Sequence, residues 1–307
     1  MILSHPPGPG QAVWIDLVQP SGEEIESVRR STGLRVPTEA QVSEIESTSR
    51  LAFETDAFYL SAPLVAALPE GELRVTPVGF VLGPKVLVTV RFGALGSFDA
   101  AHEEAAAHPP ADAAEAVLRI FEIVVDRAAD AFEHSGAACD GLARAVFREG
   151  RGRAKRSVKL SAALRRIGEA AEKISRIRDE LLGLGRLAAY LLESGIPGAP
   201  VLSAARLKAI RADISSLTDY EAHLSSKVQF LLDATLGFIN IEQNEIVKTL
   251  TIASVAGIPP VLVAGIYGMN FRVMPELRWT LGYPFALALI LMSALVPLWW
   301  FKRRGWM

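Results

Sequence analysis

Residues 249–271 read TLTIASVAGIPPVLVAGIYGMNF and hold no charged side chain. A second uncharged run, residues 281–301, reads LGYPFALALILMSALVPLWWF, and nine residues separate the two runs. At about 1.5 Å of rise per helical residue, each run is long enough to cross a hydrocarbon layer about 30 Å thick. The sequence therefore predicts two transmembrane helices, 249–271 and 281–301, joined by an outer loop of residues 272–280.

The composition agrees with a membrane hairpin attached to a charged polypeptide. The mean hydropathy is +0.27 although 21% of the residues are charged, because the hairpin carries the apolar excess. Residues 1 to about 245 are long enough to bury a core of their own. The net charge of −2 gives no argument for a nucleic-acid partner. The single cysteine, Cys139, excludes an internal disulfide framework and is expected to be a packed small residue.

The start of the chain predicts the orientation of the hairpin. Residues 1–11 have no basic flank and no apolar stretch, so no signal peptide is expected. The first 245 or so residues should then stay in the cytoplasm, and two crossings return the C-terminus there. The basic tail, residues 302–307, and Lys248 fit the positive-inside tendency, although the outer loop also holds Arg272 and Arg278. We expect an inner (cell) membrane protein with both termini in the cytoplasm.

The predicted cytoplasmic part contains two regions with different sequence patterns. Residues 1–105 are predicted to form a small α/β domain, and residues 106–202 are predicted to form helices that pack on a stalk. In the first part, apolar runs bounded by Gly and Pro predict strands, and two intervening patterns predict helices. The predicted strands are 12–18, 57–65, 75–82 and 85–91, and the helical patterns lie around 23–30 and 39–47.

A long uninterrupted helix is predicted next. The segment 195–200, GIPGAP, breaks the preceding helix, and no proline follows until Pro259. The sequence therefore predicts one helix that begins near Ser203, forms a stalk over 203–248 and continues into the first span. About 65 residues at 1.5 Å each give a rod of about 100 Å. Such a rod must pack against the preceding helices or against copies of itself, which favours an oligomer with the rods side by side.

One face of this rod carries small and neutral side chains at alternating steps of three and four. They are Asn244, Val247, Leu250 or Thr251, Ser254, Ile258, Val261, Gly265 and Gly268. Small residues are favoured where membrane helices contact each other, and the same face is equally suited to line a pore. The spacing alone leaves both interpretations open.

The motifs around the hairpin resemble the CorA family of divalent-cation transporters. They are YGMN at 267–270, MPELRW at 274–279 and GYP at 282–284, with the Gly-Met-Asn tripeptide at the outer end of the first span. Upstream, GFINIEQN at 237–244 is similar to the stalk of the enterobacterial branch. The stretches VWIDLV at 13–18 and EIES at 44–47 are similar to its cytoplasmic domain. The resemblance covers most of the chain and is tightest from about residue 230 onward.

The resemblance implies a fold and an activity. The fold is an α/β cytoplasmic domain with a long helical stalk and two transmembrane helices, assembled as a funnel-shaped homopentamer. The activity is uptake of Mg2+, with Co2+ and Ni2+ as poorer substitutes, through a central pore lined by the first spans. The implied selectivity filter is Tyr267, Gly268, Met269 and Asn270, and the implied pore-lining residues are Asn244, Val247, Leu250, Ser254, Ile258, Val261 and Gly265. Glu276 is the only carboxylate in the outer loop.

The resemblance also implies regulation by cytoplasmic Mg2+, bound between subunits by acidic residues. Asp233, eleven residues before Asn244, matches the family's stalk aspartate, and Glu70 or Glu72 of a neighbouring subunit is the expected partner. A solvated stalk charge would explain Asp233 equally well.

Two features depart from the family pattern. Arg272 stands where many members have an acidic residue, and Ile258 precedes Pro259-Pro260 where some relatives have methionine. The alternatives are a zinc transporter of the same superfamily and a non-conducting membrane tether. No Walker loop or catalytic constellation is present, so neither an enzyme nor an organic cofactor is expected, and the membrane potential is the expected driving force.

Overall fold

A computed structural model describes residues 1–6, 12–44, 51–54, 56–67, 73–148, 156–193, 202–269 and 274–306. It divides into two compact units. The first unit comprises Met1–Arg151 and Ala162–Leu232, and the second comprises Gly152–Ser161 and Asp233–Met307.

The first unit contains one six-stranded sheet in the order β1-β2-β6-β5-β4-β3. β2 and β6 are parallel, and the other neighbouring strands are antiparallel. The strands are β1 (Ile2–His5), β2 (Trp14–Val18), β3 (Leu51–Glu54), β4 (Ala57–Ala67), β5 (Leu73–Leu82) and β6 (Leu87–Arg91).

Seven α-helices are found in the described residues. They are α1 (Gly22–Thr32), α2 (Glu39–Ser43), α3 (Gly96–Ala107), α4 (Ala113–Arg148), α5 (Arg156–Glu193), α6 (Ala204–Tyr267) and α7 (Gly282–Arg303), and a short 3-10 helix (Pro275–Arg278) precedes α7.

The four predicted strands and both helical patterns are confirmed within a few residues. Of the predicted second helical pattern, residues 45–47 lie outside the described residues. β1, β3 and α3 were not predicted from the sequence. β1 and β3 are four residues long, too short to show a period-two pattern, and are defined by pairing with β2 and β4.

The sheet is covered by helices on both faces because its strands alternate between two apolar faces. On β4, Phe58, Leu60 and Leu64 are buried in the larger core, which also includes α3, α4, α5 and the first part of α6. The opposite face carries a smaller core that includes Val81 of β5 and Val28 of α1. The first unit is therefore an α/β domain.

A buried polar network ties β1, β2, β6 and α3 together. Asp16 is fully buried and accepts hydrogen bonds from Arg91 Nε (2.9 Å) and Thr89 Oγ1 (2.7 Å). His102 Nε2 contacts the same carboxylate at 2.9 Å, and its Nδ1 lies 2.8 Å from His5 Nε2. Because every side chain that contacts the Asp16 carboxylate is a hydrogen-bond donor, the buried negative charge is stabilised inside the core. The pKa of His5 is lowered from its ordinary value, mainly because the ring is partly buried and secondly because His102 lies next to it.

Helix α5 covers the edge of β4 that β3 leaves open. Pairing between β3 and β4 ends at Leu60, and further along β4 the Val65 N–H donates to Glu180 Oε1 at 2.9 Å. Glu180 is only 5% exposed, and burial raises its pKa to about 8. A neutral, protonated carboxyl therefore satisfies an edge-strand amide at physiological pH.

One helical turn further along α5, Gly183 allows the helix to approach β4 closely. A Cβ atom at this position would lie 2.6 Å from Pro63 Cδ and 3.2 Å from Pro63 Cγ. We expect Gly183→Ala to destabilise the domain by about 1–3 kcal/mol, because the rigid proline ring cannot rotate away. Chemical denaturation of the purified protein measures this effect.

Gly168→Ala is the matched control, since it lies on the same helix and a Cβ there meets nothing within 4 Å. It should be neutral or stabilise by up to about 1 kcal/mol through helix propensity. Equal unfolding midpoints for the two variants would contradict the close contact.

The predicted rod is confirmed as a single helix. α6 contains 64 residues and runs through Pro259 and Pro260 without a break. At 1.5 Å per residue its length is about 96 Å. α6 and α7 are the two helices, among the residues described, that are long and apolar enough to cross a membrane. Residues 249–267 of the first predicted span and 282–301 of the second therefore lie on helices. Gly268 and Met269 form a turn after α6, and residues 270–271 lie outside the described residues.

Candidate metal-ion pathway

The seven predicted pore-lining residues all lie on α6, where steps of three and four place them on one side of the helix. Six of the seven are exposed on the single chain and Ser254 is half-buried. The large apolar members are strongly exposed, with Leu250 at 66% and Val261 at 72%. This seam is therefore a surface that the chain itself leaves uncovered.

The opposite side of α6 is partly covered. Ile252, Ala256, Val263 and Tyr267 are half-buried and follow each other at steps of four and seven. Val261 follows Ile252 by nine residues, which is about two and a half helical turns, so the two lie on opposite sides. The second unit thus covers one stripe of the helix and leaves the predicted seam free for another contact.

The seam and its surroundings carry no charge between Thr249 and Tyr267. The Thr249 and Thr251 hydroxyls donate to the carbonyls of Glu245 and Val247, at 2.9 and 2.8 Å. Because their protons are used within the helix, these side chains add no unsatisfied donor. The resulting wall is neutral, with oxygen dipoles and apolar groups.

The predicted filter begins where α6 ends. Tyr267 is the last helical residue, and the Gly268 N–H still donates to the Ala264 carbonyl at 2.9 Å. The Met269 N–H donates to the Ile266 carbonyl at 3.2 Å, so the chain tightens into a turn. Gly268 and Met269 are exposed, and Asn270 lies outside the described residues.

The outer loop contains the 3-10 helix just before α7. Glu276 lies in this helix, and its side chain is outside the described residues. Trp279 follows and packs against Phe285 of α7, with ring centroids 5.7 Å apart. The Gly282 N–H donates to the Trp279 carbonyl at 3.0 Å and connects the loop to α7.

Only part of the predicted regulatory site lies within the described residues. Asp233 is an exposed residue of α6 at the start of the second unit. Its expected partners, Glu70 and Glu72, lie outside the described residues. Within the described ranges, no three His, Cys, Asp or Glu side chains come together as a metal site.

An ordered cluster at the far end of α7 was not predicted from the sequence. Arg303 and Arg304 lie over the rings of Trp299 and Trp300, and Lys248 of α6 lies over Trp306. The i, i+4 spacing of the first two pairs was a signal in the sequence. The third pair joins residues from two different helices, and only the folded chain brings them together.

Known proteins match nearly the whole chain. A family described as CorA-like Mg2+ transporter protein matches residues 9–303. The magnesium transport protein CorA of Pasteurella multocida (strain Pm70) is 33% identical over 298 residues, covering 96% of this chain and 92% of the relative. Magnesium transport protein CorA of Escherichia coli (strain K12) is 32% identical over 299 residues, with coverage of 96% and 92%.

The fold is also similar to a solved one. The complete structure of the CorA magnesium transporter from Methanocaldococcus jannaschii aligns with a TM-score of 0.74 at 19% identity, covering 96% of this chain and 91% of that one. At this identity the similarity concerns the fold, namely the soluble domain, the long helix and the two candidate membrane helices.

These matches confirm the resemblance that the filter motif, the outer loop and the stalk indicated, including its enterobacterial character. The family consists of membrane transporters, so the chain is not an enzyme. The chain belongs to the family of CorA-like Mg2+ transporters.

Proposed function

We propose that copies of this chain assemble into a funnel-shaped homopentamer whose central pore takes up Mg2+, and also Co2+ and Ni2+. The observation that carries this proposal is the exposed, charge-free seam of α6, which leads directly to Gly268-Met269-Asn270. A helix with one covered stripe and an opposite uncovered seam suits a ring of copies with the seams turned inward. α7 would then lie on the lipid side.

The filter in this proposal is Tyr267, Gly268, Met269 and Asn270. Mg2+ dehydrates reluctantly and prefers octahedral oxygen ligands. A ring of Asn270 side-chain carbonyls, with backbone carbonyls of Gly268, would hold the ion through its water shell. Neutral oxygen dipoles attract a divalent ion without holding it as tightly as carboxylates, which favours release into the pore. Glu276 in the outer loop would raise the local cation concentration.

Below the filter, the ion would pass a largely apolar wall. Gly265, Val261, Ile258 and Ser254 would line the upper part, and Leu250 would form a hydrophobic constriction. Val247 and Asn244 would follow, the latter as a second polar ring. The exposure of Leu250 and Val261 on the single chain supports a role at the contact between copies or at the pore.

The driving force would be the membrane potential. An inside-negative potential stabilises entry by about 2.3 kcal/mol per charge and 100 mV, hence about 4.6 kcal/mol for a divalent ion. In this proposal the protein lies in the inner membrane with both termini in the cytoplasm.

Regulation would come from Mg2+ bound at Asp233, with Glu70 or Glu72 of a neighbouring subunit as partner. An oxygen-rich site between subunits would hold the pore closed when cytoplasmic Mg2+ is high. The exposure of Asp233 on the single chain supports access to such a neighbour.

Reconstitution tests the proposal. We expect liposomes that contain the purified protein to accumulate Mg2+ saturably under an inside-negative potential, and to do so less when Mg2+ is preloaded inside. A fluorescent Mg2+ indicator in the lumen measures the flux, and protein-free liposomes are the control. Flux of Zn2+ without Mg2+ would instead support a zinc transporter, and flux of neither ion would support a tether.

A further inference from the structure

The cytoplasmic end of the hairpin carries a dense group of basic and aromatic side chains, here called the interfacial cluster. Its members are Lys248, Trp299, Trp300, Phe301, Lys302, Arg303, Arg304 and Trp306. From residue 246 to residue 307 the only acidic residue is Glu276, which lies at the other end of α7. Glu245 lies three residues before Lys248 on α6, so the excess of positive charge lies mainly at Lys302, Arg303 and Arg304.

The last residues of the cluster are held by a helix cap. Gly305 has a φ of 71°, in the left-handed region, and its N–H donates to the Lys302 carbonyl at 3.2 Å. The Trp306 N–H donates to the Phe301 carbonyl at 3.1 Å, which completes a Schellman motif. This turn folds Trp306 back onto Phe301, with ring centroids 5.4 Å apart, and Phe301 is buried. The basic end of α7 is thus ordered.

Indole rings fix the positions of the cations. The Arg303 guanidinium carbon lies 5.2 Å from the centroid of Trp299, and that of Arg304 lies 4.6 Å from Trp300. Lys248 Nζ lies 6.0 Å from the centroid of Trp306. A ring face attracts a cation without using its N–H donors. In the part of the chain that the structure describes, neither arginine forms an ion pair with a carboxylate.

The interfacial cluster places exposed indole rings and arginine side chains side by side at the same end of α7. The indoles of Trp299 and Trp300 are 59% and 46% exposed, and they lie at the end of the uncharged run of α7. Indole rings prefer the boundary between hydrocarbon and water, where lipid headgroups lie. The planar guanidinium group of an arginine can donate two parallel hydrogen bonds to the oxygens of a phosphate.

We propose that the interfacial cluster binds the headgroup phosphate of an anionic phospholipid in the cytoplasmic leaflet. The arginines and Lys248 supply the charge, and the exposed indoles supply the contact with the acyl–headgroup boundary. A basic cluster directly beside a membrane helix is suited to such lipids. A soluble phosphate would match the charges but would leave the exposed indoles without a contact. This inference rests on the proposed membrane topology.

The test uses the full-length protein and native mass spectrometry of lipids retained after purification. Phosphatidylglycerol is the anionic probe, and phosphatidylcholine and inorganic phosphate are the comparisons. We expect the wild-type protein to retain phosphatidylglycerol preferentially. The double variant Arg303→Gln/Arg304→Gln should bind it roughly thirtyfold more weakly, from the loss of two charges near the membrane surface. Lys248→Gln alone should show a smaller decrease, of roughly fivefold.

Arg278→Gln is the matched control, because it removes one exposed arginine at the opposite end of α7. It should retain the lipid as the wild type does. Unchanged retention in the double variant, or equal competition by inorganic phosphate, would overturn the proposal. A double variant that loses oligomers at unchanged lipid affinity would assign the arginines to subunit contacts and would also overturn it. Mg2+ uptake in phosphatidylcholine liposomes reports separately on the proposed pore.

Discussion

Asn270→Ala is expected to abolish saturable Mg2+ uptake into liposomes while the protein still folds and assembles. In the proposed filter, Asn270 supplies the side-chain oxygen that meets the hydrated ion just beyond the end of α6 at Tyr267. Alanine leaves no oxygen there, so the ion would lose a ring of partners for its water shell. A tenfold decrease in uptake would correspond to about 1.4 kcal/mol of lost ion stabilisation, and complete loss of saturable uptake to more than that.

Asn270→Asp is the chemical control, because it keeps the oxygen and adds a charge. We expect it to bind Mg2+ more tightly and to conduct more slowly, since a carboxylate ring releases a divalent ion reluctantly. Size-exclusion chromatography checks that both variants assemble like the wild type. Wild-type saturable uptake by Asn270→Ala would show that the filter lies elsewhere.

Glu180→Gln is expected to remove a large pH dependence from the stability of the first unit. The pKa of Glu180 is raised to about 8 in the fold, against an ordinary value of 4.5. The folded state therefore keeps a proton that the unfolded chain loses as the pH rises. The stabilisation from this proton is fully present below pH 4.5 and is lost as the pH rises towards 8, at about 1.4 kcal/mol per pH unit.

Glutamine is neutral at every pH and keeps the carbonyl oxygen that accepts the Val65 N–H. The variant and the wild type should unfold at similar temperatures near pH 5, and the variant should be the more stable by several kcal/mol near pH 8. Circular dichroism melting at both pH values measures the difference. Glu169→Gln, which removes a carboxylate of α5 that is 59% exposed, is the control and should follow the wild type. Parallel pH profiles for Glu180→Gln and the wild type would show that Glu180 is ionised in the fold.

That the candidate pathway residues share one face of a helix was predictable from the sequence. The seam on α6 depends on helical periodicity, and a helix fixes which residues share a face from their spacing alone. The filter motif was found by its position after an uncharged run and by resemblance. Placing Asn270 in a ring, or Asp233 beside Glu70 or Glu72, requires contacts between copies, which spacing along one chain does not define.

The sequence by itself determined the two membrane-length runs, the continuous long helix and the α/β character of the first unit. These features depend on local properties, because hydrocarbon thickness sets the length of an apolar run and a segment without proline from residue 201 to 258 can stay helical. The tertiary structure alone decided which distant residues meet. Glu180 reaches Val65 across 115 positions, and Asp16 meets Arg91 across 75. Such pairings, like that of Lys248 with Trp306, follow from how elements pack, and no local pattern encodes them.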